Sequence, residues 1–332
     1  MALNLTPQYH DADAKYRAAK TPEEELAALE EMWRELPKHK ASEKMQAELK
    51  KKLSAVRATI QKGSKKSGGR VDPFSIPKAG AGQLVLVGPP NCGKSSIVGA
   101  LTKAQVKIAE FPFSTPLPLP GMATFEDIKF GLVDTPPITA EHVPPGFAGL
   151  WRSTDVLLLV ADLSSDAVLD DAEMCLNHLS AKNIELTDKA AGKLSQAPGA
   201  MQKKTGILLA NKLDAPTAVD NLELLREFFG ARVRIEPLST RDEADIARLP
   251  RLFFDLLGVI RVYAKPPGKK VERIDPFVLQ AGATVNDMAR KVHRGMAEHV
   301  KSARIWGQAV FDGQNVQLDH VLHDKDTVEL HA

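Results

Sequence analysis

Gly88-Pro-Pro-Asn-Cys-Gly-Lys94-Ser95 stands between a short apolar run, 84–87, and a stretch with helical spacing, 94–104. A G-x-x-x-x-G-K-[ST] segment that leaves a strand and opens a helix is a phosphate-binding loop. Its backbone N–H groups converge at a helix N-terminus, where unpaired donors and the helix dipole both favour an anion. In this reading Gly88, Asn91, Cys92, Gly93, Lys94, Ser95 and Ser96 contact the nucleotide. Gly88 and Gly93 permit the tight wrap, Lys94 reaches the β- and γ-phosphates, and the Ser95 hydroxyl ligates Mg²⁺.

Two further motifs follow in order. Asp134-Thr-Pro-Pro137 ends an apolar run at 128–133, and Asp134 is expected to hold Mg²⁺ through a water. Asn211-Lys-Leu-Asp214 follows another run, 207–210. A carboxylate at Asp214 accepts from both N1–H and the 2-amino group of guanine; adenine offers no such pair of donors. Asn211 is expected to brace the neighbouring loops and the Lys212 stem to lie on the base plane. Ser239 and Thr240, after the last strand, are expected to offer backbone N–H groups to the guanine oxygen. The three motifs in this order point to GTP or GDP with Mg²⁺.

Residues 111–121, Phe-Pro-Phe-Ser-Thr-Pro-Leu-Pro-Leu-Pro-Gly, are too rich in proline for a helix or a central strand. They read either as a mobile segment whose Thr115 closes over the metal when a γ-phosphate is bound, or as a plain connector.

Outward from the loop, apolar runs at 84–87, 128–133, 156–161, 207–210 and 233–235 alternate with helical patterns at 94–104, 166–181, 219–229 and 243–257. This alternation predicts an α/β fold, a mostly parallel sheet with helices on both faces. Residues 1 to about 65 read as helical. Thr21-Pro-Glu-Glu24 has the form of a capping box. Leu26, Leu29, Trp33 and Leu36 make one apolar stripe, and Met45, Leu49, Leu53, Val56 and Ile60 a second. The short 37–41 connection predicts an antiparallel pair, and the Gly/Ser/Lys stretch 63–69 a flexible link. After Gly258 the pattern changes: strands at 277–279, 303–306, 309–311 and 327–330 and a helix opening at Thr284 predict a small α+β module. The expected domains are 1–75, a helical hairpin with a basic linker; 76–258, the nucleotide-binding domain; and 259–332, the small module.

With 332 residues, 43% hydrophobic and 26% charged, the composition is that of a globular protein. The aliphatic run 156–161 is far too short to span a bilayer, and the N-terminus lacks a basic start followed by an apolar core. Two cysteines, Cys92 and Cys175, make no disulfide framework. A cytoplasmic location is expected, with no membrane and no DNA among the partners. The net charge of +2 hides an asymmetry: residues 38–70 hold eleven Lys/Arg against Glu43 and Glu48. Such a stripe suits a polyanion such as RNA, or is a solvated helix face with a basic linker.

Together the residues resemble the Obg/DRG group of translation-linked GTPases, over most of the chain. G-x-P-N-x-G-K-S at 88–95, F-S-T at 113–115 and D-x-P at 134–136 carry the likeness, with the N-terminal helical pair and its basic 37–50 stretch. The end of the chain is similar to a TGS domain, a ubiquitin-like β-grasp module, at 260–268, 303–307 and 319–328. The resemblance implies a P-loop GTPase domain between a helical hairpin and a β-grasp domain. It implies GTP hydrolysis and association with the ribosome or RNA, with a protein partner or activator as a further candidate. Asn91 matches the loop asparagine that helps to coordinate K⁺ in several such GTPases, so Lys94, Thr115 and Asn91 are the catalytic candidates. Ser95, Thr115 and Asp134 are the metal candidates.

Two positions depart from the pattern. Ile138 stands where small signalling GTPases carry a water-orienting Gln. Pro137 stands where such proteins carry a Gly whose N–H reaches the γ-phosphate, and Pro has no N–H. Either GTP/GDP discrimination and intrinsic turnover are weakened, or another N–H, such as that of Ile138, substitutes. A slow GTPase and a nucleotide-gated adaptor with little or no hydrolysis are both compatible with these residues. A tRNA-handling role, suggested by the TGS-like module, finds no matching catalytic domain.

Overall fold

The computed structural model describes residues 7–18, 22–36, 45, 48–53, 74–102, 117–189, 200–268, 275–292, 300–307 and 311–331. Thr21, the 37–41 connection, Val56, Ile60, the 63–69 link, most of the basic stripe and Thr115 lie outside them. The chain divides into two compact units, Met1–Asp72 and Pro73–Ala332.

In the first unit, helices α1 (Pro7–Ala18) and α2 (Pro22–Glu35) pack together, with a further helical turn at 48–53. Tyr9, Ala12, Leu29, Met32, Leu36, Leu49 and Leu53 bury one another. The described members of the two apolar stripes, Leu29, Trp33, Leu36, Met45, Leu49 and Leu53, therefore pack together, and Tyr9 and Ala12 of α1 join them. Lys15 and Glu31 form a surface ion pair at 2.8 Å.

The second unit holds two sheets. The larger is built from β1 (Gln83–Val87), β2 (Leu119–Phe125), β3 (Ile128–Asp134), β4 (Val156–Asp162), β5 (Ile184–Thr187), β6 (Gln202–Asn211) and β7 (Ile235–Pro237). Its order is β2-β3-β1-β4-β6-β5, with β7 also on β6. All pairings are parallel except β2 with β3. The helices are α3 (Lys94–Leu101), α4 (Phe147–Ser153), α5 (Val168–Ser180), α6 (Ala218–Phe229) and α7 (Glu243–Leu257). Alternation along each strand feeds two cores: Val85, Val87, Leu157 and Leu159 face the side of α4, α5 and α6. Leu84, Leu86, Leu158 and Val160 face the side of α3 and α7. Strands buried on both faces read as continuous apolar runs, which is why these were visible in the sequence.

Strand β2 was not expected, because Pro118 and Pro120 argue against a central strand. It is the edge of the sheet, where a missing N–H can face outward. Strand β5 and helix α4 are short and were also unforeseen.

After α7, Gly258 turns the chain at φ 59°, and β8 (Val259–Ala264) begins at once. With β9 (Phe277–Gln280), β10 (Ser302–Trp306), β11 (Gln314–Val316) and β12 (Asp326–His331) it forms a five-stranded sheet, order β11-β10-β12-β8-β9. Helix α8 (Val285–Val292) covers it through Val285, Met288 and Ala289. The strand expected at 309–311 is corrected: Phe311 is irregular and β11 starts after the Asp312-Gly313 turn, while 309–310 lie outside the described residues.

Candidate nucleotide-binding site

The site lies at the carboxyl ends of the parallel strands, where open α/β sheets bind ligands. β1 delivers the loop 88–95 to the start of α3. Gly88 is required by space: a Cβ would come within 2.5 Å of the Val160 carbonyl oxygen. Gly93 is required twice over. Its φ is +100°, and a Cβ would meet the Asn211 amide nitrogen at 2.1 Å. Asn91 is also left-handed, at φ 60°, and its side chain is exposed. Cys92 is fully buried beneath the loop, and burial pushes its thiol up despite the neighbouring Lys94.

Lys94 folds back over the loop. Its Nζ donates to the carbonyl oxygens of Gly88 at 2.9 Å and Pro89 at 2.7 Å, and the residue is almost fully buried. An ammonium held this way is preset against the backbone of the loop. Ser95 Oγ donates to Asp134 Oδ2 at 2.6 Å. Ser96, next on α3, is exposed.

Asp134 is the most exacting group of the site. Its Oδ1 is buried and has no hydrogen-bond partner. Burial pushes its carboxyl above the usual carboxylate range, against the opposing pull of the Ser95 hydroxyl, Lys94 and the Thr135 backbone N–H. A buried carboxylate oxygen without a partner is costly unless a cation or proton meets it. A hydroxyl and a carboxylate are oxygen donors suited to Mg²⁺. Ser95 and Asp134 thus fit the metal that the sequence implies; Thr115 is outside the described residues.

The segment after Asp134 is tied down. Thr135 Oγ1 donates to the Leu86 carbonyl at 2.5 Å. The Ile138 N–H donates to the Gly88 carbonyl at 3.1 Å, and the Ile138 side chain is fully buried in the core with Phe147 and Trp151. His178 Nε2 lies 3.0 Å from the Thr139 carbonyl. The N–H that could have replaced the one missing at Pro137 is therefore committed to the phosphate loop's own backbone.

The base-reading side is densely bonded. Asn211, almost wholly buried, donates from Nδ2 to the Cys92 carbonyl at 2.9 Å and accepts at Oδ1 from the Thr240 N–H at 3.3 Å. It joins the phosphate loop to the 239–241 loop. Lys212, at φ 64°, sends its ammonium to Asp162 Oδ2 at 2.5 Å. Burial pushes the Asp162 carboxyl up, but hydrogen bonds from Lys212 and Ser164 outweigh it and hold the group below its ordinary value. Asp214 accepts from Ser239 Oγ at 2.6 Å and from Arg241 Nη1 at 2.9 Å. The Ser239 hydroxyl is the main reason its carboxyl is held down.

The two backbone donors expected at the guanine oxygen have internal partners. The Ser239 N–H is taken by Asp245 Oδ2 at 2.7 Å, and the Thr240 N–H by Asn211. Both groups serve internal bonds, so the guanine oxygen would have to exchange with one of them. Sequence reasoning also missed Asp162, Arg241 and Asp245. Asp162 left a signal: it ends the apolar run of β4, at the carboxyl ends of the strands where open α/β sheets bind ligands.

The family described as 50S ribosome-binding GTPase matches residues 83–212, and the TGS domain family matches residues 260–332. An uncharacterized GTP-binding protein of Methanocaldococcus jannaschii is 27% identical, over 93% of this chain and 92% of its own length. Developmentally-regulated G-protein 2 of Arabidopsis thaliana is 28% identical over 92% and 90%. Ribosome-interacting GTPase 1 of Saccharomyces cerevisiae is 23% identical over 93% and 99%. The YchF GTPase structure of Schizosaccharomyces pombe superimposes with a TM-score of 0.53 at 14% identity, covering 77% of this chain and 99% of that one, which speaks to the fold. With the two matched families in one chain, this protein carries a P-loop GTPase domain followed by a TGS domain, the arrangement that fits the Obg/DRG-type GTP-binding proteins among its relatives.

Proposed function

We propose that this chain hydrolyses GTP slowly on its own and acts on the ribosome or RNA in the cytoplasm, in translation or ribosome biogenesis, with a protein activator as a further partner. The observation that carries the slow rate is the Ile138 N–H bonded to Gly88 beside a proline that has no N–H. No backbone donor of 136–138 is left for the γ-phosphate, since Pro136 and Pro137 have none. A buried Ile138 side chain cannot orient water. Ser95 and Asp134 would hold Mg²⁺, whose charge offsets that of the phosphates when it is bound. Lys94 meets phosphate charge from a buried position, and the loop N–H groups add fixed dipoles.

Asn91 is the residue assigned to K⁺, with Thr115 as a second metal-side group. The exposed, left-handed Asn91 within the loop supports that role. The ribosome as partner is supported by the name of the yeast relative and by the basic 38–70 stripe. Among the described residues no helix is long and apolar enough to cross a membrane.

The test is single-turnover GTP hydrolysis in K⁺ against Na⁺, with and without ribosomes. Slow cleavage that K⁺ or ribosomes accelerate is the expected result. No turnover in any condition, with GTP still bound, would favour a nucleotide-gated adaptor, the second reading that Pro137 and Ile138 support.

A further inference from the structure

Arg261 is among the largest fully buried side chains in the molecule, and it lies in the β-grasp module, away from the phosphate loop. Strand β8 alternates: Ile260 and Val262 enter the module's own core, while Val259, Arg261 and Tyr263 face the GTPase domain. Arg261 forks onto Asp324 within its own module, Nε to Oδ1 at 3.0 Å and Nη2 to Oδ2 at 2.7 Å. Its Nη1 crosses to Glu126 Oε2 at 2.6 Å and Asp127 Oδ1 at 2.9 Å. The guanidinium is also 5.0 Å from the Phe254 ring centre and 5.5 Å from that of Phe125. Tyr263 Oη donates to Asp127 Oδ2, and Lys325 pairs with Glu126 at 2.9 Å.

Glu126 and Asp127 form the turn between β2 and β3, with Glu126 at φ 48°, a conformation a non-glycine residue rarely holds unaided. The β2–β3 ribbon pairs from Phe125↔Ile128 at that turn to Leu119↔Asp134 at its other end. At about 3.3 Å per residue it is a stiff element roughly 20 Å long. One end carries the carboxylate that meets Mg²⁺; the other is bolted to the module by a buried, multiply bonded cation. A static fastening could have used any exposed surface of the GTPase domain. This one grips the turn of the ribbon that ends at the metal carboxylate.

We propose that Arg261 makes the β2–β3 ribbon a lever between the nucleotide site and the TGS module. The nucleotide state then biases the module, and by reciprocity whatever binds the module biases GTP against GDP affinity. Arg261 acts as a positioning residue. The inference rests on the GTP-binding reading but not on hydrolysis or on the ribosome.

The test uses the full chain and hydrogen–deuterium exchange with GDP and with a non-hydrolysable GTP analogue, after fluorescent-nucleotide binding has been measured. In the native sequence exchange should differ between nucleotides, about threefold or more, both in 128–134 and in 259–264. In the double variant Glu126→Gln with Asp127→Asn the response in 128–134 should remain and that in 259–264 should vanish. Were that variant misfolded, Lys325→Gln, which removes one exposed contact, should reduce the 259–264 response by part. A simple structural role would lower thermal stability without changing the nucleotide dependence. Nucleotide-independent exchange at 259–264 in the native chain, or an undiminished response in the variants, overturns the lever. Absence of any nucleotide binding would overturn the GTPase reading, and the lever with it.

Discussion

The two halves of the nucleotide site differ in how far the protein completes them by itself. On the base side, Asn211, Lys212, Asp214, Ser239 and Thr240 each have an internal partner within 3.3 Å. On the phosphate side, Asp134 leaves a buried oxygen unmet, and Pro137 withholds an N–H. The base half is bonded within the protein, whereas the phosphate half leaves a buried carboxylate oxygen that a cation would meet. Preorganisation favours affinity and specificity at the base. Incompleteness at the phosphates leaves room for an external group to set the rate.

The sharpest way to break the contrast is at Asp214. In Asp214→Asn the paired acceptor for N1–H and the 2-amino group is lost. GDP and GTP affinity should fall by about 100-fold or more, since a site built for a hydrogen bond rejects what cannot make it. Affinity for xanthine nucleotides, which present an oxygen at position 2, should rise, as read by calorimetry with GDP and XDP in parallel. An unchanged GDP affinity would mean that Asp214 is not the base reader.

The next test addresses the phosphate half. Pro137→Gly restores an N–H where the chain has none. A hydrogen bond to a charged group is worth about 1.5–3 kcal/mol, so GTP should gain roughly 10-fold or more over GDP. GDP affinity itself should stay where it was. Equal gains for both nucleotides, or none, would show that the γ-phosphate is read elsewhere.

How much of this was legible in sequence follows the same divide. The phosphate loop, Asp134 and Asn211–Asp214 are short and contiguous, and their chemistry depends on residue type and order. The central strands showed as apolar runs because both faces are buried. Strand β2 was hidden, because Pro120 hides an edge strand that only the sheet order reveals. The Lys212–Asp162 and Arg241–Asp214 pairs were hidden because they join separate loops. Arg261 gave no signal at all: an arginine in an apolar run looks like an exposed position until its carboxylate partners, far away in sequence, come together around it.

A smaller effect is expected at Asp134. Without metal, its unpartnered buried oxygen works against the fold. Asp134→Asn removes the charge at nearly constant volume. The metal-free chain should gain on the order of 1 kcal/mol in stability, seen as a higher thermal midpoint in chelator. Added Mg²⁺ should raise the native midpoint in the presence of GDP and leave that of the variant nearly unmoved. A variant that is less stable than the native chain in chelator would mean that Asp134 is satisfied without a cation.

The smallest effect should come from Arg241, which sharpens the view of the base half as preformed. Its side chain is 85% exposed, and it holds Asp214 Oδ2, one of the two oxygens proposed to accept from guanine. Guanine must displace it or share that oxygen. Exposed pairs of this kind are weak, so their loss releases little. Arg241→Ala should therefore tighten GDP by no more than about fivefold, mainly through faster association, because the carboxylate is uncovered at the start. The Ser239 hydroxyl would still orient Asp214 from the other side. A loss of affinity in the variant would reverse the picture. It would place the guanidinium over the bound base as part of the pocket, and the base half would then be assembled by its ligand just as the phosphate half is.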